Sequence, residues 1–114
     1  MILRSVTVTL ATGKEADYWT WAEDILDLWD AAGVQRAGGP YLSTGPNGEQ
    51  IATWLTVHES EDAAREQFRL IYSEGEGARL IALRPALVSN SVSAAYTQWD
   101  QRGSTPPAGL ALRS

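Results

Sequence analysis

His58 is the only histidine in the chain, and imidazole is the one side chain whose ordinary pKa lets it take or give a proton near pH 7. Trp54 stands four residues before it in an alternating segment, so both side chains leave a strand on the same face. Such a pair can form one wall of a pocket between a sheet and its helices, with His58 as proton acceptor or donor. It equally describes a core indole and a strand-end imidazole that meets solvent or bonds to the next helix start. Arg84, directly before Pro85, either binds a substrate carboxylate or enolate, or caps carbonyls and pairs with an acid. Tyr41, Tyr72 and Tyr96 add stacking surfaces to that of Trp54. Together these residues predict a site for a small, largely apolar or aromatic molecule. In it, Tyr41, Trp54, Tyr72 and Tyr96 hold the substrate, His58 moves a proton and Arg84 steadies developing negative charge.

Other groups read as structure before chemistry. Tyr18-Trp19-Thr20-Trp21 could frame an aromatic ligand, but aromatics at helical spacing belong more often to a core or an interface. Glu23, Asp24, Asp27 and Asp30 include i,i+3 and i,i+4 carboxylate pairs, yet no Glu-x-x-His accompanies them and they read as a solvated acidic face. Gly75-Glu76-Gly77 and Gly38-Gly39 lack the strand, lysine and glycine context of phosphate-binding loops.

Composition narrows the chemistry further. The 114 residues contain no cysteine, which excludes disulfides, a thiolate nucleophile, Fe–S clusters and zinc-thiolate sites. With one histidine, a metal site within the subunit would have to be mostly carboxylate, so no metal and no cofactor is expected. Nine basic against fourteen acidic side chains leave a formal charge of -5, which argues against nucleic acid as a partner. The N-terminus has neither a signal-type apolar region nor a membrane-length run, so a cytoplasmic protein without membrane attachment is expected. The length fits one domain, assigned to residues 1–100, with 101–114 as a C-terminal tail whose Leu110-Ala111-Leu112 could dock on a partner subunit.

The elements that must position these residues follow from periodicity. Ile2, Val6, Val8 and Leu10 alternate with Ser5, Thr7 and Thr9, a strand with one apolar side on which Arg4 is the exception. Thr12 and Glu15 offer a capping box for a helix from about Gly13 to Ala32, closed by Gly33. Its apolar residues, from Tyr18 through Trp29 to Ala32, fill about half the wheel, wider than one sheet contact requires. The helix is therefore expected to touch a second surface, in its own chain or in another subunit. An extended segment over 34–44 is interrupted by Gly38-Gly39-Pro40, suggesting a bulged edge strand. Across the turn at Gly45-Pro46-Asn47-Gly48 it pairs with a strand from Gln50 to Val57, on which Ala52, Trp54, Thr56 and His58 share one face. Ser60 caps the next helix, with Ala64, Phe68, Ile71 and Tyr72 as its buried stripe. A short helix near Ala78–Leu83 ends at Pro85, and Val88–Trp99 is the last strand.

The order β-α-β-β-α-β predicts an α+β, ferredoxin-like domain: an antiparallel sheet with its helices on one face. Because the hairpin strand is apolar on both sides, the bare sheet face needs a cover. The same sheet from a second subunit supplies it economically, which predicts a homodimer.

The stretch from Val57 to Arg65, then Leu70-Ile71-Tyr72, then Ala82-Leu83-Arg84-Pro85-Ala86-Leu87-Val88 resembles the dimeric α+β barrel proteins, and within them the NIPSNAP group. The shared pattern is a strand, an acidic helix start, a tyrosine ending the helix, and Arg-Pro with aliphatics before the last strand. The resemblance spans roughly residues 2–99 and implies a dimeric α/β barrel without an agreed activity. In the wider superfamily it implies cofactor-independent monooxygenases, small isomerases and haem-degrading enzymes. The haem-degrading branch is similar in using an Asn on its first strand, whereas here asparagine occurs only at Asn47 and Asn90. The expectation is therefore a cofactor-independent monooxygenase or isomerase, or alternatively a non-catalytic homodimer that binds a small molecule or a partner protein.

Overall fold

The computed structural model of the protein describes residues 1–97. Trp99 and the tail expected over 101–114 lie outside the described residues. Seven elements follow in order: β1 (Ile2–Leu10), α1 (Glu15–Ala32), β2 (Gln35–Thr44), β3 (Gln50–His58), α2 (Glu61–Tyr72), α3 (Gly75–Leu87) and β4 (Val88–Thr97). The strands form one sheet in the order β2-β3-β1-β4, with every pairing antiparallel. The helices touch one another and cover one face of the sheet, giving the expected α+β, ferredoxin-like arrangement.

Parity along β1 decides which side chains meet the helices. Val8 and Leu10 are buried beneath them, and the register Val6↔Trp54, Val8↔Ala52 continues that face onto β3. Ala52, Trp54, Thr56 and His58 are all buried, while Ile51, Thr53, Leu55 and Val57 on the reverse face are only partly covered. Burial of each large apolar side chain contributes about 1.5–3 kcal/mol against chain entropy, and α1 supplies more of them than any other element.

The wide apolar face of α1 is used within its own chain. Tyr18, Trp21, Ile25 and Trp29 are buried, and the Trp21 indole donates to the Leu80 carbonyl of α3 at 2.8 Å. Trp29 packs on Phe68 of α2 with ring centroids 5.4 Å apart. The second surface of the helix is thus α2 and α3. Gly33 ends α1 with φ 75°, its N–H reaching toward the Asp30 carbonyl and that of Val34 bonding Trp29, the left-handed stop expected of glycine there.

Some local expectations fail. The capping box at Thr12 does not form: α1 begins at Glu15, its N-cap position is Lys14, and the Glu15 carboxylate instead accepts the Gly13 N–H at 2.7 Å. Pro85 does not stop α3, which runs on to Leu87. In the last turn the ring forfeits a single backbone bond, so the helix ends two residues later where Val88 turns extended. The Gly38-Gly39-Pro40 segment does bend an edge strand, with register shifts on both sides of Gly38. A Cβ on Gly39 would lie 2.6 Å from the Thr53 carbonyl oxygen, which accounts for glycine there.

Among the described residues no helix is long and apolar enough to cross a membrane, and no His, Asp and Glu side chains gather as a metal site. Glu23, Asp24, Asp27 and Asp30 lie exposed on α1.

Candidate functional site

Between the sheet and the helices lies a cleft of about 320 Å³, at the small end of the range for small-molecule sites. Its floor is a patch of in-register strand residues: Arg4, Val6 and Val8 of β1, Trp54 of β3, and Ser91 and Ser93 of β4. Its roof is the stripe Tyr18, Trp21, Ile25 and Trp29 of α1, spaced three and four apart as one helix face requires. Phe68 and Tyr72 of α2, with Ile81 and Arg84 of α3, close the ends. Ser91 and Ser93 are exposed, so the cleft opens beside edge strand β4.

The indole N–H groups facing this space are already spent. Trp54 donates to the Tyr18 hydroxyl at 2.7 Å and Trp29 to the Tyr72 hydroxyl at 2.8 Å. Trp29 meets Trp54 edge to face with ring centroids 5.1 Å apart, a geometry that aromatic quadrupoles favour. Each tyrosine oxygen therefore accepts a bond and keeps its own proton to donate. Burial holds that proton in place: it pushes the Tyr18 hydroxyl up to about 12, against a Trp54 hydrogen bond and the field of Arg84. The Tyr72 hydroxyl is raised for the same reason, opposed by its Trp29 bond and by Arg84 and Arg4.

Arg84 donates to Ser91 Oγ at 2.8 Å, a bond that ties the end of α3 to the edge strand and leaves most of the guanidinium uncommitted. Arg4 lies over the Phe68 ring, 5.2 Å from its centroid, a cation–π contact. Desolvation lowers the Arg4 pKa, with Arg84 adding a smaller repulsion, so the guanidinium groups lie within each other's field.

Of the residues predicted for the site, Trp54, Tyr72 and Arg84 are brought together in this cleft. His58 is not among the lining residues. It is 7 % exposed, accepts or donates a 2.8 Å bond with Thr56 Oγ1, and meets Phe68 edge to face at 5.4 Å. Burial and then the charge of Arg4 lower its pKa, with the Gln67 side chain opposing. The imidazole thus stands behind Phe68, outside the cleft lining.

Tyr41 and Tyr96 also lie elsewhere. Tyr41 pairs with Thr53 and Tyr96 with Leu3, positions on the reverse face of the sheet, where they are 55 % and 54 % exposed. A one-residue change of parity moves a strand side chain to the other face; β4 contains one such shift before Tyr96, whereas the two shifts on β2 cancel and Tyr41 keeps the face of Gln35. Arg4 was the residue missed: its signal was present as the single charge in register on the apolar face of β1. Trp29 and Phe68 carried no signal separating cleft from core.

A four-stranded antiparallel sheet, one helical layer and a cleft between them define the α+β, ferredoxin-like class of fold. Among solved structures the chain shares it with NIPSNAP-domain proteins. One from Burkholderia xenovorans superposes with a TM-score of 0.68 at 10 % identity, covering 87 % of this chain and 95 % of that one. A NIPSNAP family protein from Agrobacterium tumefaciens gives 0.66 at 17 % identity, with 88 % and 87 % covered. An antibiotic biosynthesis monooxygenase gives 0.61 at 8 % identity, covering 88 % of this chain and all 100 % of the other. At such identities the likeness is one of fold. No family model matches the sequence, and no curated protein matches it.

Proposed function

We propose that the chain is a cytoplasmic, homodimeric α+β barrel protein whose cleft takes a small, largely apolar or aromatic molecule. Around that molecule it stabilises negative charge developing on oxygen. This is the task shared by a keto–enol isomerase and a cofactor-independent monooxygenase, since both pass through an enolate or related anion. The observation that carries the reading is the cleft itself, with aromatic walls and the Arg4, Arg84, Tyr18 and Tyr72 donors around one small space. The fold neighbour described as a monooxygenase agrees with it. Leu3, Leu55, Val57, Val92 and Tyr96 on the reverse face of the sheet support the homodimer, as an apolar face that a second sheet would cover.

A second reading, a non-catalytic dimer that binds a small molecule, draws on one specific observation. Among the described residues the cleft lining contains neither a carboxylate nor His58, so these residues supply no ready proton acceptor and favour binding without proton transfer.

One measurement separates these readings: exchange of the benzylic hydrogens of phenylpyruvate for deuterium, followed by NMR with and without protein. Exchange faster than in buffer, and slowed in Arg84→Gln, supports enolate stabilisation. Binding without faster exchange supports the non-catalytic dimer. Neither binding nor exchange by this aromatic keto acid removes the basis for both.

A further inference from the structure

The chain has fourteen acidic side chains for nine basic ones, so an arginine has carboxylates in abundance to pair with. Among the described residues Arg36, Arg65, Arg69 and Arg79 each take one, from Asp30, Asp62, Glu66 and Glu76 respectively. The two described arginines left without a carboxylate, Arg4 and Arg84, are the two that line the cleft. Arg4 rests on an aromatic face and Arg84 on a serine hydroxyl, partners that hold each guanidinium in place without neutralising it. Between them the Tyr18 and Tyr72 hydroxyls have accepted their indole bonds and have only protons to offer. Apart from the Ser91 and Ser93 hydroxyls, the polar side chains of the lining therefore present donors, and its net charge is positive, inside a protein whose overall charge is -5.

We propose that this cleft is selective for an anion: a small aromatic molecule bearing one carboxylate or an equally acidic enol, its oxygen group held by Arg84 and Arg4 and its ring laid against Trp54, Trp29 and Phe68. The proposal rests on the cleft being a ligand site, as argued above, and adds the charge of what occupies it. Guanidiniums without a carboxylate partner, set in an aromatic-walled cleft, reward an anionic oxygen strongly and a neutral isostere weakly. A cation is excluded by the same field.

The test is calorimetric titration of the full chain with three probes of one shape: 2-naphthoate, 2-naphthamide and 2-naphthylmethylammonium. The expected result is that naphthoate binds at least about tenfold more tightly than the amide, the difference between a charge-assisted and a neutral hydrogen bond, and that the ammonium does not bind. Arg84→Gln and Arg4→Gln should each weaken naphthoate binding by a larger factor than amide binding and so reduce the naphthoate preference. Arg84→Lys, which keeps the charge but not the fork, should retain part of the preference. Equal binding of naphthoate and amide, or preference for the ammonium, overturns the anion selectivity and leaves the ligand cleft standing. Absence of binding by all three overturns the cleft reading and this proposal with it. Carboxylate and enol sources are then distinguished by repeating the titration with 2-hydroxy-1,4-naphthoquinone, a vinylogous acid whose enol is ionised at neutral pH and which lacks a carboxylate.

Discussion

Tyr18→Phe is the sharpest perturbation of the site, because it deletes one oxygen and almost no volume. The lost hydroxyl is the acceptor for the Trp54 indole at 2.7 Å, and Trp54 is 5 % exposed, so the indole N–H is left buried without a partner. Stranding such a donor costs about 1–3 kcal/mol, a large share of the roughly 5–15 kcal/mol that holds a domain of this size together. Trp54→Phe also destabilises, by about 2 kcal/mol or more, but through a different cause: the smaller ring leaves a void beside Trp21 and Trp29. In the double variant the stranded donor no longer exists, so its loss of stability should fall short of the sum of the single losses by at least about 0.5 kcal/mol. Urea unfolding at one fixed protein concentration, followed by far-UV circular dichroism, measures all four corners of the cycle. Fluorescence would not serve, because Trp54 is itself an emitter. Additivity to within about 0.3 kcal/mol would refute the hydrogen bond as a source of stability, and with it the argument that Tyr18 has only its proton left for a ligand.

Three further expectations concern residues around the cleft. His58 has its pKa lowered by burial and by Arg4, so the unfolded chain protonates first as pH falls below about 6.5; the stability this group contributes is present above that pH and lost as pH falls toward the folded value. The urea midpoint of the parent should therefore drop between about pH 7 and pH 5 more steeply than that of His58→Gln, and parallel slopes would contradict the assignment. Gly77→Ala should destabilise by about 1–3 kcal/mol or more, because its methyl would run into the Ile71 carbonyl at the α2–α3 junction; thermal melts check it, and an unchanged melting point would mean that the junction is looser than described. Ser60 Oγ accepts the Ala63 N–H at 3.0 Å, so Ser60→Ala should cost about 1 kcal/mol in chemical denaturation, while Ser60→Asp should cost far less.

The fold was legible in the sequence because its signals are periodic and redundant. Alternation in β1 and β3, the acidic start of α2 and the Gly33 stop each point to the same order of elements. What alternation could not supply was the face presented by the edge strands. Between Gly38 and Tyr41, three steps along β2 oppose two along β3, and between Val88 and Asn90 two steps on β4 oppose one on β1. The single irregularity on β4 reverses the parity that follows and carries Tyr96 to the reverse face, whereas on β2 a second shift between Arg36 and Gly38 cancels the first and Tyr41 keeps the reverse-face parity of Gln35, although both strands were correctly foreseen. The capping box misled for a local reason: Glu15 satisfied the Gly13 N–H, and the N-cap position fell on Lys14, two residues after Thr12. His58 was singled out for its chemistry, whereas its burial beside Phe68 depends on where α2 comes to rest, a tertiary fact that no spacing encodes.

The reversal on β4 bears on both halves of the functional proposal. Read from the sequence, Val92, Ala94 and Tyr96 form the apolar side of that strand and would be taken to face the helices. In the structure they pair with Thr7, Ser5 and Leu3 on the reverse face, and it is Ser91, Ser93 and Ala95 that stand on the helix side, beside Val8, Val6 and Arg4. Small side chains there cannot fill the space beneath α1 and α3, and a void of about 320 Å³ remains where larger ones would have packed. The apolar residues that left the core now stand uncovered, Val92 and Tyr96 at 58 % and 54 % exposure, on a face where water gains nothing from them. One irregularity between Thr9 and Leu10 thus opens the cleft on one side of the sheet and leaves an apolar face uncovered on the other. The cleft and the uncovered apolar face are consequently two results of the same backbone event, and a deletion that restored the regular register would be expected to remove both together.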